Sequence, residues 1–231
     1  MAHTHLLIDG DRFKTIVAMA MVVAIASTIL ALDWLTWLPV PAADAAPVHA
    51  SASMGQGPVD VGFAQDMSVH HEQALTMANL ALVRGSPRVR QLAQGIVNQQ
   101  LKEIGYMQGW LMLWQSPGIA PTDEMRWMQD AYKRSMHRDP VYEQFIDNCI
   151  KGRGMPGLAT PLELEALAAA SLADAFDAKF LALMIRHHQG AVVMARFASE
   201  HAEQELVRGF ARAIAAEQQQ EMGQMMRWLG V

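Results

Sequence analysis

One pattern occurs twice in this chain. Adding 117 to the numbers of Phe63, Met67, His70, His71, Ala74, Met77 and Ala78 gives Phe180, Met184, His187, His188, Ala191, Met194 and Ala195. With one residue of slip the likeness runs on, pairing Gln100 with Gln218, Glu103 with Glu221, Met107 with Met225 and Trp110 with Trp228. A repeat of this length fixes the architecture before any local reading does. Each copy is a helix carrying M-x-x-H-H-x-x-x-x-x-M, a short turn, and a second helix carrying Q-x-x-E-x-x-x-M-x-x-W. Two such hairpins packed together predict an all-α four-helix bundle.

The helical period decides which residues face inward. At 100° per residue Phe63, Met67, Ala74 and Ala78 form one stripe, His70 and His71 straddle it, and Met77 lies at its edge. Asp66, Glu72, Gln73, Thr76 and Asn79 fall on the other side. Arg84-Gly85-Ser86-Pro87 breaks the helix, with Ser86 placed to cap the next one and Pro87 at its first position. On that helix Ile96, Gln99, Gln100, Glu103, Met107 and Trp110 share a face, and antiparallel pairing brings Glu103 and Met107 opposite the histidines. The last helix, expected from about Glu203 to Leu229, repeats this face with Glu217, Gln218, Glu221, Met225 and Trp228.

These residue types suit a soft metal ion. On a helix Met67 lies beside His70 and His71, and Met184 beside His187 and His188, because residues three and four apart are neighbours. Met77 and Met194 follow two turns after the first histidine of each pair. Thioether donors favour Cu(I), imidazole suits copper in either oxidation state, and zinc gains little from methionine. The expected ligands are therefore Met67, His70, His71, Met77, Glu103 and Met107 in one half, and Met184, His187, His188, Met194, Glu221 and Met225 in the other. Copper is the expected ion, Cu(I) before Cu(II), with Ag(I) as its soft relative. A methionine stripe is ordinarily core packing, but packing needs no duplicated histidine pairs, and burying four imidazoles without partners is costly.

The rest of the chain places this unit. Thr15 to Leu32 is free of charge, long enough to cross a hydrocarbon core, preceded by Arg12 and Lys14 and followed by Trp34 and Trp37. It reads as an uncleaved anchor with the amino terminus in the cytoplasm; Ala43-Asp44-Ala45 would instead permit cleavage as a signal peptide. Either way the bundle is expected on the periplasmic or extracellular side of an inner or plasma membrane. Residues 1–38 are thus the cytoplasmic tip and anchor, 39–59 a flexible linker holding His49 and Met54, and 60–231 the bundle, with repeats at 60–114 and 161–229 joined by 115–160. In that connection Asp123 to Met136 and Pro140 to Lys151 read as short helices, and Thr160-Pro161-Leu162-Glu163 as another helix start. Met125, Met128, Met136 and His137 offer a satellite site, against which packing is the simpler reading. Cys149 reads as a buried thiol with no catalytic neighbour.

Several function classes are excluded. A net charge of -5 gives no basic footprint for nucleic acid. No Glu is followed three residues later by His, as a di-iron carboxylate bundle requires, and His71-Glu72 lacks the second histidine of a zincin. No nucleophile motif or phosphate loop appears, so nothing marks the chain as an enzyme. Two alternatives remain to the copper-binding reading: a redox enzyme with a two-metal centre, and a metal-free helical interaction module. Homo-oligomerisation and a copper-handling protein partner are left open.

The run F-x-x-x-M-I-x-H-H-x-G-A-x-x-M-A at Phe180 to Ala195, with Ala175-Phe176-Asp177 before it and Q-x-x-E-M-x-x-M-x-x-W-L ending at Leu229, resembles the DUF305 family. That resemblance implies a ferritin-like helical bundle outside the cytoplasm that binds copper, and also silver, in metal sequestration, tolerance or delivery. The first copy departs from the family pattern at Ser68 and Gln73, where the second has Ile185 and Gly190.

Overall fold

In a computed structural model of the protein, the residues described are 55–121, 125–136, 138–149, 154–170 and 173–230. Among them the regular secondary structure is all helix. The helices are α1 (Pro58–Arg84), α2 (Pro87–Leu113), α3 (Arg126–Arg134), α4 (Pro140–Asn148), α5 (Pro161–Ala168), α6 (Ala173–His201) and α7 (Glu205–Leu229). The two repeats are the hairpins α1/α2 and α6/α7, and they join along α1 and α6. The expected anchor, Thr15 to Leu32, and the linker residues His49 and Met54 lie outside the described residues. No described helix is long and apolar enough to cross a membrane.

Helix boundaries follow local hydrogen bonding. The bundle starts at Pro58, two residues inside the expected linker, because the Asp60 carboxylate accepts the Gly57 amide at 2.7 Å and fixes the first turn. α5 begins with a reciprocal cap: Thr160 Oγ1 accepts the Glu163 amide and Glu163 Oε2 accepts the Thr160 amide. α3 is shorter than Asp123–Met136, and α4 is described to Asn148, its expected end at Lys151 lying outside the described residues. Ser86 stands at the amino-terminal cap of α2 as expected, yet its side chain makes no capping bond.

That cap is supplied across the repeat instead. Asp177 on α6 accepts the Ser86 amide at 3.0 Å, and its counterpart Asp60 on α1 accepts the Gln204 amide at the start of α7, also at 3.0 Å. Each hairpin thus caps the outer helix of the other with a buried carboxylate, where the helix dipole favours negative charge. The same exchange shows that α1 and α6 are antiparallel.

Asp66 is the clearest departure from the expected faces. It is buried and accepts the Met125 amide at 2.7 Å and Trp127 Nε1 at 2.8 Å. The connecting segment therefore covers the flank of α1 that periodicity assigns to solvent. Met125 and Met128 are core residues packed with Trp127 and Tyr132, whereas Met136 is fully exposed, so these methionines do not converge on a satellite site; His137 lies outside the described residues. Cys149 is half-buried against the same core, not enclosed by it.

The bundle is open on one side. α2 and α7 scarcely approach each other; Phe210 touches Tyr106 and Trp110 at one end, and Arg88 lies over the Trp228 ring at the other. Between them runs a groove of about 690 Å³ lined by Arg88, Glu217, Glu221, Gln224 and Trp228. Glu217, Trp110 and Trp228, expected to face inward, are half-buried as a result.

Candidate metal centre

The antiparallel crossing of α1 and α6 brings the two histidine pairs together at mid-bundle. The rings of His70 and His187 meet with centroids 3.8 Å apart and planes inclined by 44°. Their neighbours turn towards the outer helices, where His71 Nε2 lies 2.7 Å from Glu103 Oε2 and His188 Nε2 lies 2.6 Å from Glu221 Oε2. All four histidines are completely buried. The expected opposition of Glu103 to the first pair is present, and its duplicate holds in the second repeat.

These contacts fix tautomers. A carboxylate only accepts, so in neutral His71 and His188 the proton is on Nε2 and Nδ1 keeps its lone pair. His187 Nε2 lies 3.0 Å from the His70 main-chain oxygen, which likewise only accepts. Nδ1 of His71, His187 and His188 has no partner, and neither ring nitrogen of His70 makes a hydrogen bond of normal geometry. A buried acceptor left unpaired costs about 1–3 kcal/mol. Several of these at one place are accounted for most simply by a ligand that takes the lone pairs.

Electrostatics keeps the cluster in its coordinating form. Burial pushes His70 well below the usual imidazole value, helped by His71 and His188 and opposed by the Pro156 backbone. Burial does the same to His187, followed by His70, His188 and His71. Neutral imidazole is the form that binds a metal. These mutual influences tie the four rings into one electrostatic unit built from both repeats.

The thioethers flank this unit. Met67, Met77, Met107, Met184, Met194 and Met225 are all fully buried. Met67 and Met107 share one packed cluster with Met194, while Met184 and Met225 share the other with Met77. Two methionines are thus exchanged between the groups that sequence assigns by repeat, because the carboxyl half of each histidine helix lies against the amino half of the other.

The donor set fits a soft ion better than a hard one. Among the described residues no three His, Cys, Asp or Glu side chains converge to hold an ion by themselves. Imidazole together with thioether from the neighbouring buried methionines is a donor set that suits a soft ion, since zinc gains little from methionine. Glu103 and Glu221 each hold a histidine Nε2, the position from which a carboxylate orients a ligating imidazole. Glu221 lines the α2/α7 groove with its side chain 17% exposed, whereas Glu103 is 5% exposed. Burial raises the Glu217 carboxyl, with Glu103 and Glu221 adding to it.

Residues outside the expected ligand set also surround the cluster. Gln100 Oε1 and both amide atoms of Gln218 are buried without partners, one turn before Glu103 and Glu221; their pairing across the repeat was the available signal. Gln73, which periodicity puts outside, instead grips the connecting segment through Ala159, with its Oε1 2.6 Å from the Ala159 amide and its Nε2 2.9 Å from the Ala159 carbonyl. Nothing in the sequence linked those two positions.

Residues 60–229 match the family model described as Domain of unknown function (DUF305). The fold is similar to a DUF305 protein from Streptomyces coelicolor, at 33% identity and a TM-score of 0.61 over 74% of this chain and 92% of that one. A DUF305 fragment from Deinococcus radiodurans is 30% identical, with a TM-score of 0.57 over 76% and 97% of the two chains. CopM in its Cu(II)-bound form is 28% identical, with a TM-score of 0.54 over 74% and 95%; CopM structures with Cu(I) and with silver are also similar. Comparison with curated proteins gives no match. With its family model matched over both hairpins and the segment between them, the chain belongs to the DUF305 family.

Proposed function

We propose that this protein binds copper, Cu(I) in preference to Cu(II), and accepts Ag(I), to sequester the ion or pass it on outside the cytoplasm. The observation that carries the reading is the central cluster of four buried imidazoles, with Nδ1 of His71, His187 and His188 unpartnered and His70 making no hydrogen bond of normal geometry. His71, His187 and His188 are the ligands through Nδ1, and His70 joins through either nitrogen. Met67, Met107 and Met194 on one side and Met184, Met225 and Met77 on the other supply sulfur, and Glu103 and Glu221 orient His71 and His188. The CopM forms that hold Cu(I), Cu(II) and silver support the choice of ion. Copper here is cargo, so the chemistry asked of the protein is ligand exchange.

The anchor is part of the proposal. The uncharged run Thr15 to Leu32 tethers the bundle to the membrane through a linker rich in Pro, Ala and Ser, which keeps the site close to the surface where copper is handed over. Copper content after loading tests the reading. Wild-type protein retains a fixed number of ions through desalting, and changing His187 and His188 together to Ala removes them; equal retention by the variant refutes these ligands.

A further inference from the structure

All four histidines are sealed from solvent, so an ion reaches them only if something moves. The described part of the connection just before α5 lies against α6 at His187 and reaches His70 through the Pro156 backbone. Met155 to Leu158 forms a Pro156-Gly157 turn closed by the Leu158 amide on the Met155 carbonyl, and Gly157 has φ +97°, the left-handed value such a turn requires at its third residue. The turn sits directly on α6. A Cβ at Gly157 would lie 2.9 Å from the Arg186 carbonyl oxygen and 3.0 Å from that of His187, and a Cβ at Gly190 would lie 2.0 Å from the Pro156 oxygen. Glycine at both positions therefore permits a close contact that a Cβ at either would push apart.

The far end of the segment is tied to α1. Gln73 holds both main-chain polar groups of Ala159, and Arg186 reaches the Leu158 carbonyl while paired with Glu163. Gln73 and Gly190 are equivalent positions in the two repeats, each three residues after the first histidine of its pair. One grips the strap and the other makes room for it. The strap thus spans the His70–His187 stack from α6 to α1, with the Pro156 backbone acting on His70 and Met155 buried in the cluster that contains Met67 and Met107.

We propose that residues 155–159 are the door of the metal centre, latched by Gln73 and seated on Gly190, and that copper enters and leaves when this strap lifts. The proposal rests on the copper-binding reading and adds to it a route and a rate control. The latch consists of two hydrogen bonds between the Gln73 side chain and the Ala159 main chain in a partly buried setting, enough to change the population of an open state about tenfold when removed.

The test uses the full chain loaded with Cu(I) and transfer of the ion to a chromogenic Cu(I) chelator, with the number of bound ions measured on the same samples. Gln73→Ala is expected to raise the transfer and uptake rates about tenfold while leaving stoichiometry unchanged and the dissociation constant within about threefold. Gly190→Ala, which forces the Pro156 oxygen off α6, is expected to do the same, and amide exchange at Ala159 should quicken in both. Faster Ala159 exchange with unchanged copper transfer overturns the door, as do unchanged transfer rates in both variants. In that case undiminished stoichiometry leaves the copper reading standing, whereas a wild-type chain that holds no Cu(I) removes both.

Discussion

His187 donates from Nε2 to the main-chain oxygen of His70, its counterpart in the other repeat, across a ring-to-ring separation of 3.8 Å. The bond is not returned: His70 makes none to His187, and its ring lies under the strap instead. A duplicated sequence has thus folded into a centre that is symmetric in its donors and asymmetric in its cover. Three of the four rings are held at Nε2 by a protein hydrogen bond, and His70 is left for a ligand to order.

The carboxylates that hold His71 and His188 set which nitrogen faces the ion. Glu103→Gln and Glu221→Gln keep the volume but allow the amide to present a donor to Nε2, which favours the wrong tautomer. Each is expected to weaken Cu(I) binding about 10–100-fold with little change in the far-ultraviolet spectrum. Competition against a Cu(I) chelator measures it; affinity within a factor of two of wild type would show that these carboxylates do not orient ligands.

Sulfur should distinguish the oxidation states. Met67→Leu and Met184→Leu conserve volume, so each is expected to cost less than about 1.5 kcal/mol of apo-protein stability. Cu(I) affinity should fall while Cu(II) affinity changes little, because thioether selects the softer ion. Parallel titrations with the two ions read the difference, and equal losses for both would contradict the assignment.

The buried histidines give the apo protein a pH dependence. His70 and His187 titrate well below the usual imidazole value when folded and near about 6.5 when unfolded. The unfolded chain therefore binds protons first as pH falls, so stability is at its plateau above about 6.5 and declines as pH drops towards the folded values. Urea unfolding of the metal-free chain at a series of pH values from 8 downwards is expected to show this decline, and its loss in His70→Ala with His187→Ala. A profile unchanged by that double substitution would rule out these groups as the cause.

Asp177 and Asp60 bind the hairpins to each other through helix caps. Asp177→Ala removes the acceptor for the Ser86 amide and is expected to destabilise the chain by about 0.5–2 kcal/mol, without altering the number of copper ions bound. Chemical denaturation together with metal analysis checks both halves of this statement.

Much of this was legible in the residues. The repeat gave the two hairpins, the inward histidines and the opposition of Glu103 to His71, since those depend on helical period and on one short turn. Asp66 was misplaced because periodicity knows only its own helix, and the Met125 amide and Trp127 arrive from 59 and 61 positions away. Met77 and Met194 were assigned to their own repeats because the direction in which α1 crosses α6 is a tertiary fact. The strap left no local mark either: Gly157 and Gly190 look like an ordinary turn and an ordinary helix residue until they are seen in contact.

The most direct test of the central claim is X-ray absorption at the copper edge on the full chain loaded with Cu(I). Imidazole nitrogen and thioether sulfur together around the ion, with the imidazole signal lost in His187→Ala with His188→Ala, is the result expected. A nitrogen-and-oxygen environment without sulfur, or a spectrum indifferent to that double substitution, would contradict it.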